Sequence, residues 1–286
     1  MRIEAKNLTF IYGAGLPWEQ KALDNVSLTV DDGEFLGLIG ETGSGKSTLV
    51  QILNGLLRPT SGEVFLDGVN IFQDKVSLQK IRFQIGLIFQ FPEQQLFAET
   101  VFDDVAFGPK NLGVPTREIP KRVEEALWKV GLNPIAFSRR SPFSLSGGEK
   151  RLVAIAGILA MKPRVLILDE VTAGLDPKGK KEVLARIQLL HQKERATIIM
   201  VTHDMDEVAA LAERIVILKK GKVVLQGKPE EIFSQPELVE KQGLALPTLP
   251  KLFSALRQSG WNLPAAIFDL REASRLIKEE LNHAAG

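Results

Sequence analysis

Short apolar runs rich in β-branched residues recur along this chain at 35–39, 64–66, 85–89, 165–168, 198–202, 215–218 and 223–225, each bounded by turn formers. Their length and composition predict strands. Helical stretches separate several of them, which predicts crossover connections and a mainly parallel sheet. The last two runs flank Lys219, Lys220, Gly221 and Lys222 and predict a hairpin. Ahead of all of these, Ile3 and Ala5, then Val26, Leu28 and Val30, alternate with polar residues, the period of an antiparallel β layer.

From about residue 92 to 158 the strand signal fades. Val123, Ala126, Leu127 and Val130 recur at helical spacing and predict one apolar helix face. After residue 227 the character changes again. Prolines at 229, 236, 247, 250 and 264 punctuate short helices, and Leu270, Ala273, Ile277 and Leu281 form a final stripe. The expected division is an α/β domain at 1–227, with a helical subdomain at about 92–158, and a helical extension at 228–286.

Composition narrows the function classes. With 286 residues, 44% of them hydrophobic, the chain can bury one large core. Its 36 basic and 35 acidic residues leave a net charge of +1, so no global attraction to nucleic acid or acidic lipid is indicated. The absence of cysteine excludes disulfides, thiolate metal sites and a cysteine nucleophile. Residues 1–7 lack the apolar core of a secretory signal, and no stretch approaches the ~18 apolar residues that cross a bilayer. Any membrane role is expected to run through partners.

The chemistry begins with Gly40, Glu41, Thr42, Gly43, Ser44, Gly45, Lys46 and Ser47, which follow the strand at 35–39 and precede an apolar-periodic helix. This is GxxxxGK[ST] in the strand–loop–helix setting that gives it meaning. Its glycines let backbone N–H groups turn inward around phosphates, and the helix N-terminus adds a positive dipole end. Lys46 is expected to reach the β- and γ-phosphates of ATP and Ser47 to ligate Mg²⁺, with Thr48 completing the nucleotide-binding segment.

A second element is the apolar strand at 165–168, which ends in Asp169 and Glu170. The carboxyl ends of parallel strands are where open α/β sheets bind ligands. Asp169 there would hold Mg²⁺, directly or through water, and Glu170 would polarise the attacking water. His203 lies just past another core strand and is expected at the γ-phosphate. A third element is Ser146, Gly147 and Gly148 ahead of Glu149 and a good helix former. Ser146 would cap that helix and the glycines would expose N–H groups at its positive end. A second anion site beside a single phosphate loop suggests service to another subunit's nucleotide.

Together these motifs resemble the ABC-transporter ATPases over nearly all of residues 1–227. Residues 145–149 resemble the family signature and Gln90 the glutamine that contacts both Mg²⁺ and the catalytic centre. Ala173, Gly174, Leu175 and Asp176 resemble the D-loop, and Tyr12 the aromatic that stacks on adenine. The resemblance implies a P-loop NTPase fold with a RecA-like, mainly parallel sheet. It also implies ATP hydrolysis by two domains facing head to tail, each nucleotide lying between one phosphate loop and the other signature.

A narrower likeness lies in residues 90–97, Gln-Phe-Pro-Glu-Gln-Gln-Leu-Phe, followed by Phe107, Gly108, Pro109, Lys110 and Asn111. With Thr42 and Gly174, these are similar to the second of two paralogous ATPases of energy-coupling-factor (ECF) vitamin and metal importers, within the cobalt-transport ATPase family. That likeness implies a second ATPase subunit, as heterodimer or homodimer, a transmembrane scaffold (T) protein, a substrate-binding membrane (S) protein, and a peripheral place on the cytoplasmic face of the membrane. It gives the helical tail a part in holding the pair together. Phe91, Leu96, Phe97, Val101 and Phe102 are candidates to line an apolar groove for docking of the scaffold, and core packing accounts for some of them equally well. Three positions depart from common ABC patterns: Glu149 for glutamine, Val171 for proline and Ala173 for serine. The alternatives are an ATPase of a conventional binding-protein-dependent importer and a non-transport ABC clamp.

Overall fold

The computed structural model describes residues 1–73, 76–264 and 267–284, with side chains to residue 281. Ala265, Ala266, Ala285 and Gly286 of the expected extension lie outside the described residues.

The chain opens with β1 (Ile3–Tyr12) and β2 (Gln20–Val30), then β3 (Phe35–Ile39), helix α1 (Lys46–Leu53), and the strands β4 (Ser61–Leu66) and β5 (Val69–Asn70). Helix α2 (Leu78–Gln84) leads to β6 (Ile85–Ile88). A helical stretch follows: α3 (Val101–Asn111), α4 (Ile119–Lys129), α5 (Pro134–Phe137) and α6 (Gly147–Leu159). Then come β7 (Val165–Asp169), α7 (Pro177–Glu194), β8 (Thr197–Val201), α8 (Met205–Leu211), and the strands β9 (Arg214–Lys219) and β10 (Lys222–Gly227). The tail holds α9 (Pro229–Phe233), α10 (Pro236–Lys241), α11 (Thr248–Gln258) and α12 (Leu270–Ala284).

Two sheets result, in the orders β2-β1-β4-β5 and β10-β9-β3-β8-β7-β6. The smaller is antiparallel, and it takes in the run at 64–66. In the larger sheet β3, β8, β7, β6 and β9 run parallel, and β10 returns antiparallel to β9 as the hairpin.

The reason the central strands are uninterrupted apolar runs is visible in the packing. Successive side chains of a strand point to opposite faces. Phe35, Leu166, Leu168, Ile198 and Met200 enter a core shared with the helices α3, α4, α6 and α7. Leu36, Leu38, Ile167, Ile199 and Val201 enter another core shared with α1 and the antiparallel sheet. A sheet covered on both faces has no solvated side to make polar.

Beyond Gly227, Ile232, Phe233, Val239 and Leu244 join the helix-side core, whereas Phe253, Leu263, Ile267 and Ala273 form a small core of their own. Helix α12 meets that small core through Ala273, Leu276 and Ile277, while Leu270 and Leu281 are exposed. The expected stripe of 270, 273, 277 and 281 is therefore too long. Only its central turn reaches the other tail helix. Asp206 accepts hydrogen bonds from the Thr248 backbone N–H at 2.7 Å and hydroxyl at 2.6 Å, which ties the tail to α8.

Candidate functional site

Because β3, β8, β7 and β6 are neighbours and parallel, their carboxyl ends lie side by side. The loop at 40–45 follows β3, His203 follows β8, Asp169 and Glu170 close β7, and Gln90 follows β6. Topology alone thus collects the separate motifs at one edge.

The loop is shaped by close backbone approach. Gly45, the residue before α1, has φ 105°, and a Cβ there would lie 2.5 Å from the Ala22 carbonyl oxygen. At Gly40 a Cβ would lie 2.2 Å from the Leu218 carbonyl oxygen. Neither position admits a side chain. The Lys46 ammonium folds back on the loop and donates to the carbonyls of Gly40 (2.8 Å) and Glu41 (2.9 Å). Burial lowers its pKa, and the charges of Glu170 and Asp169 work against that shift.

Asp169 is buried, and burial raises its pKa, while a hydrogen bond with Ser47 opposes the change. Glu170 has φ 49°, a left-handed conformation that in a non-glycine residue costs about 1–3 kcal/mol and is concentrated at functional sites. Its peptide is held by an N–H donated to Val201 O at 2.9 Å. Gln90 Nε2 donates to Glu170 Oε2 at 3.0 Å, and His203 Nδ1 lies 3.3 Å from Oε1. One carboxylate is thus flanked by the groups ending the strands on either side.

These residues surround a cavity of about 370 Å³ lined by Tyr12, Gln20, Ala22, Thr42, Gly43, Gly45, Lys46, Ser47, Thr48, Gln90, Asp169 and Glu170. The Tyr12 hydroxyl is 3.1 Å from Thr48 Oγ1, and the ring stands edge-on to Phe10 with centroids 4.7 Å apart. Ser47, Asp169 and Gln90 bring a hydroxyl, a carboxylate and an amide to the same wall. Among the described residues no group of three or more His, Cys, Asp or Glu is arranged to hold a metal ion by itself. Such a sparse hard-oxygen set fits Mg²⁺, which keeps waters and leans on substrate phosphates rather than on a protein cage.

Residues 146–149 and Asp176 do not line that cavity. They form a second group. Ser146 Oγ accepts from Glu149 N at 3.3 Å, and Glu149 Oε2 accepts from Ser146 N at 2.8 Å, a capping box at the start of α6. The Ser146 N–H holds the Glu149 carboxyl below its usual range. Asp176 caps α7 by accepting from Gly179 N at 3.0 Å, and a Cβ on Gly148 would lie 3.7 Å from Gly179 Cα. The two helix starts are therefore adjacent, with Ser146 and Gly147 exposed to solvent.

A second concavity, of about 590 Å³, lies beside α3 and α6. Phe83, Ile88, Leu96, Phe97, Phe107 and Met161 are among its walls. Phe97 and Phe107 meet edge to face at 4.9 Å, and both are largely exposed. The expected groove set needs correcting here. Val101 is fully buried, Phe102 packs against the helix-side core, and Phe91 turns toward Gly174 and Arg151. Helical spacing places 101 and 102 on α3, but their side of α3 faces inward.

Sequence reasoning missed three features. Gln20 and Ala22 enter the cavity because β2 pairs Gln20 with Tyr12, a register no motif announces. Glu207 is buried and accepts from the hydroxyls of Thr172 (2.6 Å) and Thr202 (2.8 Å), with Lys180 at 3.1 Å. Lys180 also pairs with Asp204, the cap of α8, so one network braces the segments after both Glu170 and His203. Burial works to lower the Lys180 pKa, but Asp204 and Glu207 outweigh it and raise it. Arg151 is the third.

The raised pKa of Asp169 has a consequence for stability. A carboxyl whose native pKa exceeds its unfolded value binds protons more readily when folded, so stability falls as pH rises between the two values. Above the native pKa the whole penalty is present. Asp169→Asn should therefore raise the Tm of the nucleotide-free chain at pH 7, by about 2–4 °C if the relief is ~1 kcal/mol. Calorimetry on both chains without magnesium reads it, and an unchanged or lower Tm would refute the burial penalty.

Adjacent strand ends bearing a phosphate loop, a histidine, a carboxylate pair and a glutamine define a P-loop nucleotide-binding domain. Known proteins narrow this class. The family model described as "ABC transporter" matches residues 23–173. Another, described as "AAA domain, putative AbiEii toxin, Type IV TA system", matches residues 139–209. Energy-coupling factor transporter ATP-binding protein EcfA2 of Clostridium perfringens (strain 13 / Type A) is 50% identical over 279 residues, 98% of each chain. A solved structure of cbiO1 from Clostridium perfringens, part of the ABC transporter complex cbiONQ, superposes with TM-score 0.75 and 38% identity, covering 89% of this chain and 98% of that one. The ATP-binding cassette MJ0796, in a dimeric post-hydrolysis state bound to ADP and Pi, does so with TM-score 0.69 and 33% identity, covering 79% of this chain and 98% of that one. The chain belongs to the ABC transporter family, among the energy-coupling factor transporter ATP-binding proteins.

Proposed function

We propose that this chain is the ATP-hydrolysing subunit that powers an energy-coupling-factor importer of a vitamin or transition-metal ion. It pairs with a second ATPase subunit on a transmembrane scaffold, at the cytoplasmic face of the membrane. Among the described residues no helix is long and apolar enough to cross a membrane, so this subunit reaches the bilayer through those partners.

The observation that carries the reading is the Glu170 carboxylate, flanked by Gln90 and His203 at the mouth of the phosphate-loop cavity. There Glu170 accepts the proton of the attacking water, and Gln90 and His203 fix the direction of its two oxygens. Lys46 exchanges its bonds to the Gly40 and Glu41 carbonyls for phosphate oxygens. Thr42 to Thr48 bind the phosphates and Tyr12 the base. Ser47, Asp169 and Gln90 hold Mg²⁺, which when bound neutralises charge on the phosphates. Ser146 to Glu149 and Asp176, placed outside this cavity, face the nucleotide of the paired subunit.

The aromatic cleft is the seat of the scaffold. Two exposed phenylalanines over an apolar floor suit an amphipathic helix laid into a groove. Phe97→Asp should therefore abolish retention of the membrane proteins when the complex is purified from mildly solubilised membranes, with ATP affinity within about twofold of wild type. Full retention would exclude the cleft as the seat.

A further inference from the structure

Arg151 is 1% exposed and is the bulkiest fully buried side chain among the described residues. Its guanidinium joins three segments. One edge donates to the carbonyls of Val171 (2.5 Å) and Ala173 (2.9 Å), the peptides that follow Glu170 and lead into the loop before Asp176. The other edge donates to Glu93 Oε1 at 2.7 Å. Glu93 sits in the single turn Pro92–Gln95, whose Pro92 and Gln95 wall the aromatic cleft. Arg151 itself stands on α6, the helix begun by Ser146.

A buried cation is an unusual choice for filling space, because an apolar side chain of similar volume avoids the desolvation penalty. What the cation adds is geometry. A planar fork holds two carbonyls and a carboxylate in fixed, separated directions, whereas a lysine ammonium offers its three donors from a single point. The fork is also one bond short of complete. Arg151 Nε and Glu93 Oε2 are both buried and without a partner. A small displacement of the 92–95 turn that brings Oε2 to Nε turns the single bond into a bidentate pair. A second hydrogen-bonded setting of the turn would thus act on the same group that holds the peptides after Glu170.

We propose that Arg151 is a positioning residue that transmits occupancy of the Phe97 cleft to the attack geometry at Glu170, through Glu93 on one side and the Val171 and Ala173 carbonyls on the other. The proposal rests on the reading that the scaffold seats in that cleft and that Glu170 activates water.

The test measures turnover of the assembled transporter in liposomes divided by turnover of the ATPase pair without its scaffold. Glu93→Gln keeps the shape and removes the charge. It should lower this ratio about tenfold, the factor a single charge-assisted hydrogen bond supplies, while the scaffold is still retained. KM for ATP should stay within about twofold. Arg151→Lys should lower the ratio likewise, and the double variant should fall no further than the worse single one, because both break the same link. An unchanged ratio in Glu93→Gln with scaffold retained overturns the relay and leaves the docking site standing. Singles that multiply in the double, with KM rising alongside, reduce Arg151 to a structural brace and also overturn it. If Arg151→Lys does not accumulate, Glu93→Gln decides alone. Full scaffold retention by Phe97→Asp removes the docking reading, and the relay falls with it.

Discussion

Glu170→Gln is expected to reduce ATP turnover by ~10²–10⁴-fold while leaving nucleotide binding nearly intact, the range that removal of a general base produces. The side chain keeps its length and shape, so it still meets Gln90 and His203, which lie 3.0 and 3.3 Å from the two carboxylate oxygens. What it loses is proton affinity. If ATP draws the paired domains together and hydrolysis separates them, as the proposed head-to-tail pairing implies, the variant should accumulate closed dimers with Mg²⁺ and ATP, read by light scattering on a sizing column. A further effect has a definite sign. The Glu170 charge works against the burial that lowers the Lys46 pKa, so neutralising it lowers that pKa again. Nucleotide affinity of the variant should therefore weaken at lower alkalinity than that of the wild type. Full turnover would remove Glu170 from the role, and lost binding would make it a binding group instead.

Much of this site was legible because its chemistry is written in local patterns. The phosphate loop needs glycine at fixed places, and at Gly40 and Gly45 the structure shows which backbone atoms a side chain would strike. The strands at 35–39 and 165–168 were legible because both their faces are covered, which leaves an unbroken apolar run. The run at 64–66 looked the same but lies in the antiparallel sheet, since composition carries strand character and not strand direction. The aromatics of 91–102 showed a different limit. Period identifies which residues share a face, yet Val101 meets the core because of how α3 is rotated onto α6, whereas Phe97 lies in the loop ahead of α3, where no period applies. Arg151 was invisible for a simpler reason. Arginine is a surface residue by type, and nothing local announces that the carbonyls of 171 and 173, and the carboxylate of 93, converge on it.

The signature offers the clearest separation of fold from function. Gly148 is the second residue of α6, and a Cβ there makes only an ordinary contact, 3.7 Å from Gly179 Cα. An aspartate in the first turn of a helix interacts favourably with the dipole, by about 0.3–1 kcal/mol, so Gly148→Asp should leave the Tm unchanged or raise it. The same carboxylate would repel the terminal phosphate of a nucleotide bound to the paired subunit. Losing one preorganised contact to developing negative charge costs ~10²–10³-fold in turnover, and adding a repulsive charge deepens the loss at that composite site. This chain's own nucleotide binding should stay within about twofold, because residues 146–149 do not line its phosphate-loop cavity. Lys46→Ala supplies the opposite pattern, own binding lost and signature intact. Titrating each purified chain with a fluorescent ATP analogue, then assaying the assembled pair, separates the two. If Gly148→Asp weakened its own chain's binding as Lys46→Ala does, the signature would serve the same chain's nucleotide, and the head-to-tail pairing of the two subunits would have to be abandoned.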